Sequence, residues 1–241
     1  MISEEFLSEL LVSEQFKLAL TSMAEVTSRA GYETGFAVYR DMRNERAPPT
    51  IEDLIVTEKE VGSCSNLQDI NIEETQKIEQ EKFIPYEFIY ELLDLHFHPA
   101  CKGAIEPSGF TGDLCSLNNS YVLNQTRGIK ARPIMTICQV DSKKSITMLL
   151  IQQKNYKPIP EALIDELEED YEKFREENAW FGEGDECQNQ RKIVDFLSAT
   201  RFYNLQILKY KQGEYTLNLP KKLKPFAFEE DFNLKNILDR G

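Results

Sequence analysis

Both histidines of the chain stand in one apolar stretch, Leu92-Leu93-Asp94-Leu95-His96-Phe97-His98, closed by Pro99. This composition reads as a β-strand, and side chains two apart on a strand point to the same face. His96 and His98 would then aim both imidazoles at one point. Two neutral ring nitrogens at about 2.0–2.1 Å can share one zinc ion. Taken alone, such a pair is as often an accident of surface or core composition as a ligand pair. The sequence that follows changes that balance. A loop of fourteen residues, Pro99 to Gly112, carries Pro107-Ser108-Gly109 and runs into Asp113-Leu114, where a helix is expected to start. Asp113 supplies a third, anionic ligand, and a His₂-carboxylate set leaves the fourth tetrahedral position to water. Asp is also a good helix N-cap without any metal, and the two roles are compatible.

The rest of the chain supplies the frame for that strand, loop and helix. From Ser13, the residues Phe16, Leu20 and Met23 recur at helical spacing as far as Ala30, where Gly31 breaks the pattern. Tyr32 to Tyr39 is aromatic and β-rich, which puts Glu33 at the beginning of a strand emerging from that helix. Arg40 to Pro49 reads as a loop and Asp53 to Val61 as a second strand. Asn66 to Lys82 reads as a solvated helix or an insertion, and Tyr86 to Glu91 as a short helix or turn. Pro133 to Val140 and Ile146 to Gln152, joined by Asp-Ser-Lys-Lys, have the pattern of a hairpin.

After Pro158-Ile159-Pro160 the composition shifts. Glu161 to Glu177 carries Leu163, Leu167, Tyr171 and Phe174 on an acidic background, an amphipathic helix whose charged face is most simply solvated. A docking face for a basic partner is the lesser alternative. Arg191 to Ala199 reads as a helix, Tyr203 to Tyr210 with Glu214 to Leu219 as a second hairpin, and Pro225 to Gly241 as a docked tail. Trp180 and Phe181, beside Gly182-Glu183-Gly184, form either a recognition patch or, more commonly, a hydrophobic edge. These features predict an α/β (α+β) fold: residues 1–157 form a mixed sheet flanked by helices, and residues 158–241 a C-terminal α+β extension packed on it or recruiting a partner.

Composition narrows the function classes. The net charge of −13 repels phosphate backbones, so nucleic-acid binding is not expected. No apolar run approaches the roughly 20 residues that a spanning helix needs. The opening residues are acidic where a leader would be basic, so the expected address is the cytoplasm and no membrane partner is expected. Cys64, Cys101, Cys115, Cys138 and Cys187 are scattered, with no Cys-x-x-Cys pair, and read as reduced, mostly buried thiols. Cys101 and Cys115 flank the proposed metal loop and are further candidate thiolate ligands.

Taken in order, Glu33-Thr34-Gly35 after a helix, His96-Phe97-His98-Pro99, Pro107-Ser108 and Asp113-Leu114 resemble the JAMM (MPN-type) metalloprotease family. The resemblance covers roughly the first two-thirds of the chain. It implies an MPN/cytidine-deaminase-like core, Zn2+ held by His96, His98 and Asp113, and Glu33 taking the proton from the attacking water. Ser108 would steady the developing oxyanion. The family spaces its serine three residues before the aspartate whereas Ser108 precedes Asp113 by five, so Thr111 is an alternative for that role. The family also commonly has a glycine-rich strand after the glutamate, where Phe36-Ala37-Val38-Tyr39 stands here, and its core requires nothing after about Pro158. The implied activity is hydrolysis of a peptide or isopeptide bond next to a ubiquitin-like or sulfur-carrier protein. Alternatives are a non-catalytic MPN-type scaffold within a larger assembly and hydrolysis of a small molecule by the same site.

Overall fold

The computed structural model describes residues 4–30, 33–41, 43, 54–61, 76–85, 88–98, 105–126, 133–140, 145–154, 158–178, 186–211 and 216–218. Its helices are α1 (Glu4–Val12), α2 (Glu14–Ala30), α3 (76–82), α4 (Asp113–Thr126), α5 (Glu161–Asn178) and α6 (Glu186–Ala199). Its strands are β1 (Glu33–Asp41), β2 (Leu54–Val61), β3 (Ile89–His98), β4 (Ile134–Val140), β5 (Ser145–Gln153), β6 (Tyr203–Lys211) and β7 (Thr216–Asn218). The strands form one sheet in the order β2-β1-β3-β4-β5-β6-β7. β3 and β4 are parallel, and every other neighbouring pair is antiparallel. The expected mixed sheet flanked by helices is present. The two expected hairpins are the antiparallel pairs β4–β5 and β6–β7.

Two apolar layers cover the two faces of the sheet. On one face α1 and α2 set Leu7, Leu10, Phe16, Leu20 and Met23 against Phe36, Leu95, Phe97, Met148 and Leu150. Helix α1, absent from the sequence reading, belongs to this layer. Ser13 separates the two helices: its hydroxyl accepts from Phe16 N–H at 3.2 Å as the N-cap of α2 and donates to the Leu10 carbonyl at 2.8 Å. On the other face Leu114 and Leu117 of α4, Tyr171 of α5 and Ile193 and Leu197 of α6 meet Met135, Ile137, Leu149, Ile151 and Leu205. Segments on both sides of residue 158 therefore share one apolar layer and one sheet. Burial of each such side chain contributes roughly 1.5–3 kcal/mol before conformational entropy opposes it.

β3 begins at Ile89, so Ile89 to Glu91 are strand rather than the expected helix or turn, and all ten of its residues are buried. Its alternation contains a slip that the sequence pattern hides. Val38 pairs with Leu93 but Tyr39 pairs with Glu91, leaving Leu92 as the extra residue of a β-bulge. Leu92 and Leu93 both join the α1–α2 layer, together with Leu95 and Phe97. Asp94, His96 and His98 consequently face the opposite side, towards α4. Among the described residues no helix is long and apolar enough to cross a membrane. The expected tail from Pro225 to Gly241, the residues Trp180 to Gly184 and Cys64 and Cys101 lie outside the described residues.

Candidate metal centre

The site lies at the C-terminal end of β3, beside its one parallel partner, where open α/β sheets commonly place ligands. His96 pairs with Gly35 of β1 on one side and Ile137 of β4 on the other. Gly35 matters to this arrangement, because a Cβ there would stand 2.2 Å from the Leu95 carbonyl oxygen and 3.2 Å from the His96 Cβ. The close approach of the two strands beside His96 thus needs a residue without a side chain. Glu33 is next in line: Thr34 pairs with Phe97, so Glu33 falls beside His98 at the start of β1. Thr34 is fully buried, and its hydroxyl donates to the Met23 carbonyl at 3.1 Å while meeting the hydroxyl of Thr27. These bonds from β1 to α2 hold the strand end that carries Glu33.

The expected ligands converge. The Nε2 atoms of His96 and His98 stand 3.1 Å apart. His96 Nε2 is 3.4 Å from Asp113 Oδ1, and His98 Nε2 is 3.7 Å from Asp113 Oδ2. Two ligands at tetrahedral angles around zinc stand about 3.3 Å apart, so these separations suit the edges of a coordination tetrahedron. Two imidazoles and a carboxylate, all buried, form a group that could hold a metal ion, and no other such group occurs among the described residues. Glu33 Oε1 lies 3.9 Å from His98 Nε2, and its side chain keeps 28% exposure against 2% for His98. Glu33 therefore borders the site from its open side.

Asp113 is the first residue of α4 rather than its cap, since the Gly112 carbonyl accepts from Ser116 N–H at 3.0 Å. The Asp113 carboxylate reaches backward instead. Its Oδ2 accepts from Ser108 N–H at 2.6 Å, and its own N–H donates to Ser108 Oγ at 3.0 Å. This reciprocal pair fixes both the aspartate and the serine five residues before it. Ser108 is exposed. The alternative, Thr111, is exposed with its N–H committed to Glu168 Oε2 at 2.9 Å. Cys115 is half-buried and accepts from Asn119 Nδ2 at 3.6 Å, apart from the converging group.

Charge organises the group. Burial pulls the His96 imidazole down, but the Asp113 carboxylate, by its field and its hydrogen bond, outweighs this with help from Asp94 and Glu33, and the net shift is upward. Burial would raise Asp113, yet His96, then His98 and the Ser108 N–H, hold it well below the usual carboxylate range.

The chain matches no family model, no curated protein and no solved structure.

His96, His98, Asp113 and Glu33, all singled out from sequence, thus come together within hydrogen-bonding or near-contact distance. Asp94 was overlooked. It is buried, and a step of two back from His96 along the strand would have found it on the same face.

Proposed function

We propose that the chain is a zinc-dependent hydrolase of peptide or isopeptide bonds, acting by the scheme that its resemblance to JAMM metalloproteases implies. The observation carrying this reading is the convergence of two imidazoles and a carboxylate with a second, partly exposed carboxylate 3.9 Å from one of them. A mixed nitrogen and oxygen donor set of three protein ligands fits a catalytic zinc site better than a closed structural one. A divalent ion, when bound there, supplies Lewis acidity and lowers the pKa of water to about 7.

His96, His98 and Asp113 hold the ion, and Asp113 stays ionised for that task. Glu33 takes a proton from the attacking water and returns it to the leaving amine, a role suited to a carboxylate bordering the site. Ser108, held against Asp113 beside the site, donates to the oxygen on which negative charge develops. The substrate class, a ubiquitin-like or sulfur-carrier protein joined through an amide, follows from the family resemblance.

The test combines elemental analysis with two substitutions. Protein purified without chelator is expected to carry about one zinc per chain. Glu33→Gln keeps the zinc and loses cleavage of a ubiquitin-like fusion, and His96→Ala loses both. Activity in zinc-free protein refutes the scheme, whereas a wild-type chain with neither zinc nor activity favours a scaffold role.

A further inference from the structure

Helix α5 lies beyond the part of the chain that resembles the metalloprotease core, yet it touches the loop that precedes Asp113 at successive points. The Tyr171 hydroxyl donates to the Pro107 carbonyl at 2.8 Å. Arg175 sets Nε at 3.0 Å and Nη2 at 2.9 Å from Oε1 of the buried Glu106. Glu168 accepts from Thr111 N–H at 2.9 Å, and its carboxylate fills the space that a Gly109 side chain would need, at a residue whose φ of 121° already favours glycine. Between these points the loop inserts Phe110, whose ring meets Tyr171 edge-on at 6.0 Å and Tyr203 at 6.2 Å. The five-residue interval from Ser108 to Asp113 therefore contains an aromatic anchor.

We infer that α5 is a latch on loop 105–112, with Tyr171, Arg175 and Glu168 acting as positioning residues for the Asp113 carboxylate. This rests on the metal-binding reading of the site. The chain of support is continuous: α5 holds Glu106, Pro107 and Thr111, and these flank Ser108, which bonds Asp113 through both its N–H and its hydroxyl. A ligand fixed in this way needs little rearrangement to meet an ion, and loss of a group that bonds a ligand directly, as Ser108 bonds Asp113, typically lowers metal affinity about 10–100-fold. The Tyr171 hydroxyl suits the task, because burial, reinforced by the nearby Glu106 carboxylate, pushes it well above the ordinary phenol range and keeps it a donor.

The experiment uses the full chain and zinc alone as probe, with affinity read by competition against a chromophoric chelator. Tyr171→Phe and Arg175→Gln, one step further out than Ser108, are each expected to weaken zinc binding severalfold, up to about tenfold. In metal-free protein they should also speed hydrogen exchange at the Ser108 and Thr111 amides, while circular dichroism stays that of the folded chain. Arg175→Lys, which keeps a cation near Glu106, should recover part of the affinity. Tyr203→Phe removes an equally buried hydroxyl that bonds nothing in the loop, and should leave zinc affinity unchanged. Wild-type zinc binding with equal binding in Tyr171→Phe and Arg175→Gln overturns the latch alone. A wild-type chain that takes up no zinc sinks the hydrolase reading and the latch with it.

Discussion

At Gly35 one hydrogen atom in place of a methyl group decides whether β1 can lie against His96. An added Cβ would overlap the Leu95 carbonyl, a backbone atom that cannot swing aside. Gly35→Ala is expected to cost about 1–3 kcal/mol, as overpacking of a tight interior does, and to weaken zinc uptake by moving His96. Urea denaturation and chelator competition measure the two effects, and a variant as stable as wild type with unchanged affinity would contradict this account. The imidazole itself makes a second prediction. Because the folded value of His96 is raised, its protonated form stabilises the metal-free fold fully below the unfolded value of about 6.5. That contribution is lost as pH rises through the raised folded value. On the proposed zinc reading the ion requires the neutral ring, so its affinity moves the opposite way and falls about tenfold per pH unit below that value. Asp113, shifted downward, remains ionised throughout this window and adds no proton competition. The difference in melting temperature between zinc-loaded and chelator-treated protein should therefore widen as pH increases from about 6.5. A constant difference would mean that the ion does not displace the His96 proton.

Among the elements, α2 and α5 were legible from a plain period, α1 was missed although Phe6, Leu7, Leu10 and Leu11 keep helical spacing, and the start of β3 was hidden by its bulge. The stripe Phe16, Leu20, Met23 marked α2, and Leu163, Leu167, Tyr171, Phe174 marked α5, because each keeps one face towards the sheet. The alternating run to His98 marked β3, but its first three residues did not read as strand. The bulge at Leu92 shifts the alternation there, and a shifted period looks like no period at all. At the site, His96 and His98 were legible from spacing on one strand, whereas Glu33 needed the order of elements to select it. The contacts of α5 were not legible, since Glu106 and Arg175 lie 69 residues apart and meet only through the fold. Asn118 is a comparable case: on α4, its Oδ1 accepts from Gln153 Nε2 and from Ile159 N–H, both at 2.9 Å. It ties the helix carrying Asp113 to the end of β5 and the approach to α5. Asn118→Ala leaves the buried Ile159 N–H without that acceptor and should cost about 1–3 kcal/mol in chemical denaturation. A loss below about 0.5 kcal/mol would show that the N–H finds another partner.

Across the whole molecule, the sheet runs without interruption from residues before the site to residues well after it, and β6 pairs with β5 along its full length, from Ser145 opposite Lys211 to Gln153 opposite Tyr203. The candidate ligands His96, His98 and Asp113 belong to the first half of this arrangement and the α5 residues that hold their loop to the second. A chain cut near residue 157 would leave β5 as an uncovered rim of nine residues with apolar side chains on both faces, Ile146, Met148 and Leu150 on one and Leu149 and Ile151 on the other. Such a rim is a template on which other copies can add strands. Light scattering should show the shortened chain assembling into large species under conditions where the intact chain does not.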